Sequence, residues 1–342
     1  MAVITIVGAG MMGSAIGIPA SDNGHEVRLV GTPLDRAIID HARATSRHLT
    51  MRRDLPKSYR YYQFEQLSEA LDGAELLVSG VSSFGVDWFW ENVLPVIPDA
   101  LPVLAVTKGM VDGEDGELVP YPVYYRRKLG ARKLNLNAVG GPCTSYELAD
   151  RDQTYVAFCG EDIEALRRIR ALFRTDYYHI SLSADVVGVE CAVAMKNAYA
   201  LAVTLAVGLA ERHDGKLHYN SQAALFAQSI REMRKLLRLV GGDDDNIVYG
   251  AGDLYVTVFG GRTRLIGTLL GKGLSFGEAM RELEGVTLES VVIATRTARA
   301  VRRKIELGEV KADDFPLLLH VDDILNREAP VDIPWKKFET DF

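Results

Sequence analysis

Three short stretches carry residue types that do chemistry rather than packing. In V-E-C-A-V-A-M-K-N-A-Y-A-L-A, Val189 to Ala202, a lysine sits within a nearly unbroken apolar run. From Val186 to Ala210 the only charged side chains are Glu190 and Lys196. A helix apolar on every side belongs inside a protein, and lysine is seldom fully buried without a partner. Isolating its ammonium in a dry site costs several kcal/mol, so a buried Lys196 points to acid/base work. Such an amine donates a proton to a developing oxyanion and takes it back in the reverse direction. The second stretch is Gly250-Ala251-Gly252-Asp253-Leu254, which suits a turn leading into a helix and offers a carboxylate to orient the amine. The third is Gly260-Gly261-Arg262-Thr263. A guanidinium binds phosphate in a bidentate way, and glycines let backbone amides approach. Thr263 or Thr257 can add a hydroxyl. The plain structural alternatives are a lysine snorkelling to water, a helix-capping aspartate and an arginine in a surface turn.

A fourth stretch has a fixed spacing. Gly8-Ala9-Gly10-Met11-Met12-Gly13 follows the strand-like V-I-T-I-V and opens a helical stretch, with a second strand ending at Gly31. This is the context of the dinucleotide-binding fingerprint. Gly8 permits the tight turn, Gly10 lets the backbone approach a pyrophosphate, and Gly13 lets helix and strand pack closely. The N–H groups of Met11, Met12 and Gly13 then face an anion. Nicotinamide dinucleotides are usually held by an acidic residue at the end of the second strand. Here Val30-Gly31-Thr32-Pro33 occupies that place, with no carboxylate before Asp35. A Thr32 hydroxyl with Arg36 in reach favours a 2′-phosphate, so NADP(H) is expected ahead of NAD(H).

These residues need a scaffold, and the pattern supplies one. Strand and helix signals alternate up to about Ala184, and only helical signals follow, among them 185–212, 222–239 and 289–306. The expected fold is an α/β Rossmann-type N-terminal domain with a mainly parallel sheet, followed by an all-α C-terminal domain. The boundaries are 1–184 for the dinucleotide-binding domain and 185–342 for the helical substrate and catalytic domain. The formal charge of −7 argues against nucleic acid or anionic lipid as a partner. The basic helix Arg296–Lys304 reads as a solvated face. Three cysteines, without paired metal-ligand spacing, read as reduced core residues in a cytoplasmic protein with no metal. The opening M-A-V-I-T-I-V-G has no basic n-region and no cleavable apolar run, so no signal peptide is expected. The run at 186–210 is long enough to span a bilayer, but Glu190, Lys196 and Asn197 near its middle make that costly, and a buried soluble helix is expected.

Val106-Thr107-Lys108-Gly109, Gly140-Gly141-Pro142, Lys196-Asn197, Gly252-Asp253-Leu254 and Gly261-Arg262-Thr263-Arg264 occur in that order behind the glycine loop. Together they resemble the NAD(P)-dependent glycerol-3-phosphate dehydrogenase family, from Val3 to about Leu325. The resemblance implies interconversion of dihydroxyacetone phosphate and sn-glycerol 3-phosphate by hydride transfer, a reaction at the CH–OH group of a phosphorylated polyol. It implies that Lys196 is the catalytic acid/base, with Asp253 beside it and Lys108 contacting substrate and cofactor. It assigns the substrate to Gly141, Cys143, Asn197, Thr257, Arg262 and Thr263, and extends the cofactor set to Ser145, Arg262 and Glu289. It further implies a homodimer and a link to phospholipid synthesis. The chain departs from the family pattern at Thr263, where the family has asparagine, at Cys143, where a hydroxyl is usual, and at Ser290, which follows Glu289 where glycine is usual. Two other readings compete: a dehydrogenase of another short polyol or keto phosphate, and a non-catalytic NAD(P)-binding regulatory protein. β-Hydroxyacid dehydrogenases and ketopantoate reductases place an asparagine four residues after the lysine, where this chain has Ala200.

Overall fold

Short apolar runs of three to five residues, almost entirely buried, form the central strands of a mainly parallel sheet. The computed structural model describes residues 1–341. Its strands are β1 (Val3–Val7), β2 (Glu26–Val30), β3 (Tyr59–Tyr62), β4 (Leu76–Ser79), β5 (Val103–Ala105), β6 (Met110–Asp112), β7 (Leu118–Pro120), β8 (Leu136–Gly140), β9 (Thr154–Gly160) and β10 (Tyr178–Ser183). Helices α1 (Met11–Asp22), α2 (Arg36–Thr45), α3 (Leu67–Leu71), α4 (Val86–Asn92), α5 (Tyr121–Leu129), α6 (Ser145–Ala149) and α7 (Ile163–Phe173) lie between them. Then come α8 (Val186–His213), α9 (Tyr219–Leu239), α10 (Ile247–Val258), α11 (Gly261–Gly271), α12 (Phe276–Glu282), α13 (Glu289–Glu306) and α14 (Pro316–Arg327).

The chain forms two compact units. The first comprises Met1–Lys108 and Tyr121–Val186, and the second comprises Gly109–Pro120 and the chain from Val187 onward. The first unit is an eight-stranded sheet in the order β10-β9-β8-β5-β4-β1-β2-β3. All pairings are parallel except β8 with β9. From β1 the chain winds outward to β2 and β3, then returns to β4 on the other side, so strand order reverses between β1 and β4. Open α/β sheets bind ligands at such a switch point, beyond the carboxyl ends of the strands. In register, Val7 pairs with both Val30 and Ser79. The loops starting at Gly8, Gly31 and Gly80 therefore leave the sheet side by side.

The second unit is helical apart from one feature that the sequence signals do not announce. β6 and β7 pair in an antiparallel hairpin, which packs with α13 of that unit. The described elements from α8 onward are all helical, and residues 109–120, which fall within 1–184, group with them. The middle of the unit is α8, whose buried face joins a core that includes Leu225, Leu254, Ile266, Ile293 and Leu317. By length and composition α8 could cross a membrane, but 89% of its most apolar window is buried inside the protein.

Candidate active site

The glycine loop owes its shape to close packing. Gly8 has φ +110°, and a Cβ there would lie 2.6 Å from the Gly80 carbonyl carbon. A Cβ on Gly13 would lie 2.1 Å from the Gly8 oxygen. Both positions therefore require glycine. Gly10 is different, because nothing lies within 4 Å of where its Cβ would be. It precedes α1 as the capping residue, with no side chain to bond the first N–H groups of the helix. Those groups have no partner within the helix, and the open space at Gly10 lets an anion reach them.

Beside this turn lies a cavity of about 480 Å³, lined by Gly8, Gly10, Thr32, Pro33, Leu34, Asp35, Gly80, Val81, Ser82, Phe84, Gly85 and Trp88. Met11 is exposed next to Gly10 and Met12 is half-buried. Glycine backbone and the aromatic rings of Phe84 and Trp88 in one lining suit a dinucleotide, so the residues present fit that cofactor. The Thr32 hydroxyl donates to Asp35 Oδ2 at 2.8 Å. The same oxygen accepts from the N–H groups of Thr32 (2.9 Å) and Ala9 (3.1 Å). Asp35 is thus tied to the loop itself, and Arg36 pairs with Glu65.

Also in the first unit, Lys108 Nζ donates to the Gly141 carbonyl at 2.8 Å. Gly141 has φ +123°, a conformation that side chains rarely adopt. Cys143 is half-buried against the core of the sheet. Thr144 caps α6 through its hydroxyl, and Ser145, the first residue of that helix, is buried.

The second unit brings together the pair that the sequence singled out. Lys196 Nζ lies 2.7 Å from Asp253 Oδ1, with side-chain exposures of 13% and 2%. Asp253 is not at a helix start: it lies inside α10, one turn from its end. Its position follows from a glycine one turn earlier. A Cβ on Gly250 would sit 2.6 Å from the Ala192 oxygen, so only glycine lets α10 approach α8 this closely. Three residues on from Gly250 and four on from Ala192, the carboxylate meets the ammonium. The Thr257 hydroxyl turns back to the Asp253 carbonyl at 2.7 Å. Asn197 is buried beside Lys196 in sequence, on α8.

Arg262 is exposed on the first turn of α11, after Gly260 and Gly261, the latter at φ +75°. Thr263 is buried, and its carbonyl lies 3.5 Å from the Thr204 hydroxyl of α8. Glu289 begins α13 and is half-buried. The contribution of Gly250 was not foreseen, because close helix contact leaves no mark beyond a small residue one turn before the carboxylate. The role of Asp35 within the loop was also missed, although its offset from Thr32 was visible.

The chain matches two family models. The model described as the NAD-dependent glycerol-3-phosphate dehydrogenase N-terminus covers residues 3–166, and the corresponding C-terminus model covers 185–335. An Archaeoglobus fulgidus protein described as NADP(+)-dependent glycerol-3-phosphate dehydrogenase is 34% identical over 284 residues, 82% of this chain and 84% of that one. A Shouchella clausii glycerol-3-phosphate dehydrogenase [NAD(P)+] is 28% identical over 318 residues, covering 92% and 88%. In fold, the chain is similar to the structure of Plasmodium falciparum glycerol-3-phosphate dehydrogenase, with a TM-score of 0.82 at 20% identity over 100% of this chain and 96% of that one.

Proposed function

This chain belongs to the NAD-dependent glycerol-3-phosphate dehydrogenase family, and from that premise we propose that it interconverts dihydroxyacetone phosphate and sn-glycerol 3-phosphate with Lys196 as acid/base. The observation that carries the reading is the Lys196–Asp253 pair at 2.7 Å, with Asp253 buried and Lys196 half-buried. Reduced nicotinamide, when bound along the Gly8–Gly13 turn, supplies the hydride. Lys196 then gives its proton to the carbonyl oxygen as negative charge develops there, and recovers it from the alcohol in the reverse direction. Asp253 holds the amine in place. Arg262, preceded by two glycines, takes the substrate phosphate, and Lys108 adds a cation fixed by the Gly141 carbonyl. Gly141, Cys143, Asn197, Thr257 and Thr263 complete the substrate set. Met11, Met12, Thr32, Ser145 and Glu289 complete the cofactor set.

NADP(H) is the preferred cofactor in this account. The A. fulgidus relative is described as NADP(+)-dependent. Asp35, whose Oδ2 already accepts three hydrogen bonds from the loop, is poorly placed to serve ribose hydroxyls as well. The protein acts as a cytoplasmic homodimer, for which exposed Val248, Tyr255, Phe259 and Leu265 on α10, at its end and on α11 offer apolar surface. Sedimentation of the purified chain tests this point.

The departures at Cys143 and Thr263 make substrate choice the part to test first. Initial rates with dihydroxyacetone phosphate, a tetrulose phosphate and a pentulose phosphate, each with NADPH and NADH, should be highest for dihydroxyacetone phosphate with NADPH. A larger kcat/KM for a longer keto phosphate would reassign the substrate. NADH binding about tenfold tighter than NADPH, roughly 1.4 kcal/mol, would reverse the cofactor order. Binding of either cofactor without turnover on any substrate would leave a regulatory binder.

A further inference from the structure

The crown of the glycine loop is gripped from two sides. The Ala9 N–H donates to Asp35 Oδ2 at 3.1 Å. The Ala9 carbonyl lies 2.9 Å from Nε2 of His48, a residue with no exposed surface. The Ser14 hydroxyl reaches the same carbonyl less closely, at 3.4 Å. The tautomer of His48 follows from its other nitrogen. Nδ1 accepts the Met51 N–H at 3.0 Å, with the Thr50 hydroxyl at 3.4 Å. The ring hydrogen is therefore on Nε2, which donates to Ala9.

The ring is held in place by its own segment. Ser46 ends α2 in the left-handed region, and a short hairpin follows, bridged between Arg47 and Asp54. The His48 N–H donates to the Arg53 carbonyl, and the Leu55 N–H to the Ser46 carbonyl. Met51 and Leu55 are buried in the core under the sheet. With backbone and both nitrogens fixed, the imidazole has one orientation, and only its neutral form satisfies both bonds. A proton on Nδ1 would face the Met51 N–H.

We propose that His48 is a positioning residue for the dinucleotide: neutral imidazole, seated by the Met51 N–H on Nδ1, holds the Ala9 carbonyl through Nε2 and so keeps Gly10 and the first N–H groups of α1 presented to the pyrophosphate, and acid, by placing a proton on Nδ1 against the Met51 N–H, pushes the ring out of that seat. The proposal rests on the reading of Gly8–Gly13 as the cofactor turn. Burial lowers the affinity of His48 for a proton, while the Ala9 carbonyl and Asp35 favour the charged ring and His41 on α2 opposes it. Asp35 and His41 are the charged or titratable side chains that face it. With burial dominant, the ring is neutral at and above neutral pH. Cofactor affinity is then level across that range and falls as pH drops below the ordinary imidazole value of 6.5.

The test is titration of the intact protein with NADH, whose pyrophosphate charge is constant over the range used, at about pH 8 and about pH 5.5. His48→Leu keeps the volume and removes the donor, so its Kd at the higher pH should rise roughly tenfold, with kcat at saturating cofactor unchanged. His48→Gln supplies a non-titrating N–H to Ala9. It should bind within about twofold of wild type at the higher pH and lose the acid weakening. Wild-type affinity in His48→Leu, or equal acid weakening in wild type and His48→Gln, would overturn the role of His48. A wild type that binds neither NADH nor NADPH at either pH would overturn the cofactor reading beneath it.

Discussion

Asp253 is buried and Lys196 half-buried against it, and their strength as an ion pair is not the reason to expect them there. Desolvating two charges offsets much of their attraction, and well-packed apolar residues often do as well. In the proposed reaction such a pair makes sense because one member must move a proton. Arg262 is a different case, since it is exposed and acts in this account only when a dianionic phosphate arrives. Arg262→Ala should therefore leave the melting temperature unchanged while raising KM for dihydroxyacetone phosphate, at a cost of about 2–5 kcal/mol in kcat/KM. Steady-state kinetics at saturating cofactor check this, and an unchanged KM would remove Arg262 from the site.

At the scale of elements, function rests on how closely helices approach. Gly250 on α10 sits against the Ala192 carbonyl of α8, and that contact sets the reach of Asp253. Gly250→Ala inserts a methyl where 2.6 Å is available, so α10 must shift. The expected outcome is a loss of about 1–3 kcal/mol in stability with a disproportionate fall in kcat, read from melting and turnover on one preparation. Turnover falling no further than the folded fraction would contradict this. A second prediction concerns Glu232 on α9. Its carboxylate is buried and accepts from the Leu317 and Leu318 N–H groups at the start of α14, from Gln228 and from Tyr199. Burial outweighs these bonds and raises its pKa to about 7. A carboxyl raised on folding stabilises most when both states are protonated. Its contribution is present below the ordinary value of 4.5 and is lost as pH rises through about 7. Wild type should therefore lose stability relative to Glu232→Gln across that window, and parallel melting curves would refute the assignment.

At the scale of the molecule, much of the architecture was legible because its signals are local. The β-branched run before Gly8, the G-x-G-x-x-G spacing and the unbroken apolar run around Lys196 each announce their element without knowledge of distant residues. The hairpin of β6 and β7 was not legible. Each strand has three residues, and the turn between them, Gly113-Glu114-Asp115-Gly116-Glu117, reads as an ordinary charged loop. Its grouping with α13 rather than with the flanking sheet depends on contacts almost two hundred residues apart. For the same reason Asp253 was expected at a turn: three small residues around it, Gly250, Ala251 and Gly252, imitate a break, whereas Gly250 serves helix packing. His48 carried no signal at all, since a single histidine after a helix has no spacing to read. Local pattern thus gave the elements and the candidate residues, and long-range contact decided which of them meet.

The central claim is that the Lys196 amine moves the proton. The most direct measurement is kcat of Lys196→Ala for dihydroxyacetone phosphate reduction at saturating NADPH, with NADPH affinity measured on the same preparation. The account predicts a fall of roughly 10²- to 10⁴-fold, cofactor affinity near wild type, and partial recovery on adding a small primary amine. Turnover within a few-fold of wild type would contradict it.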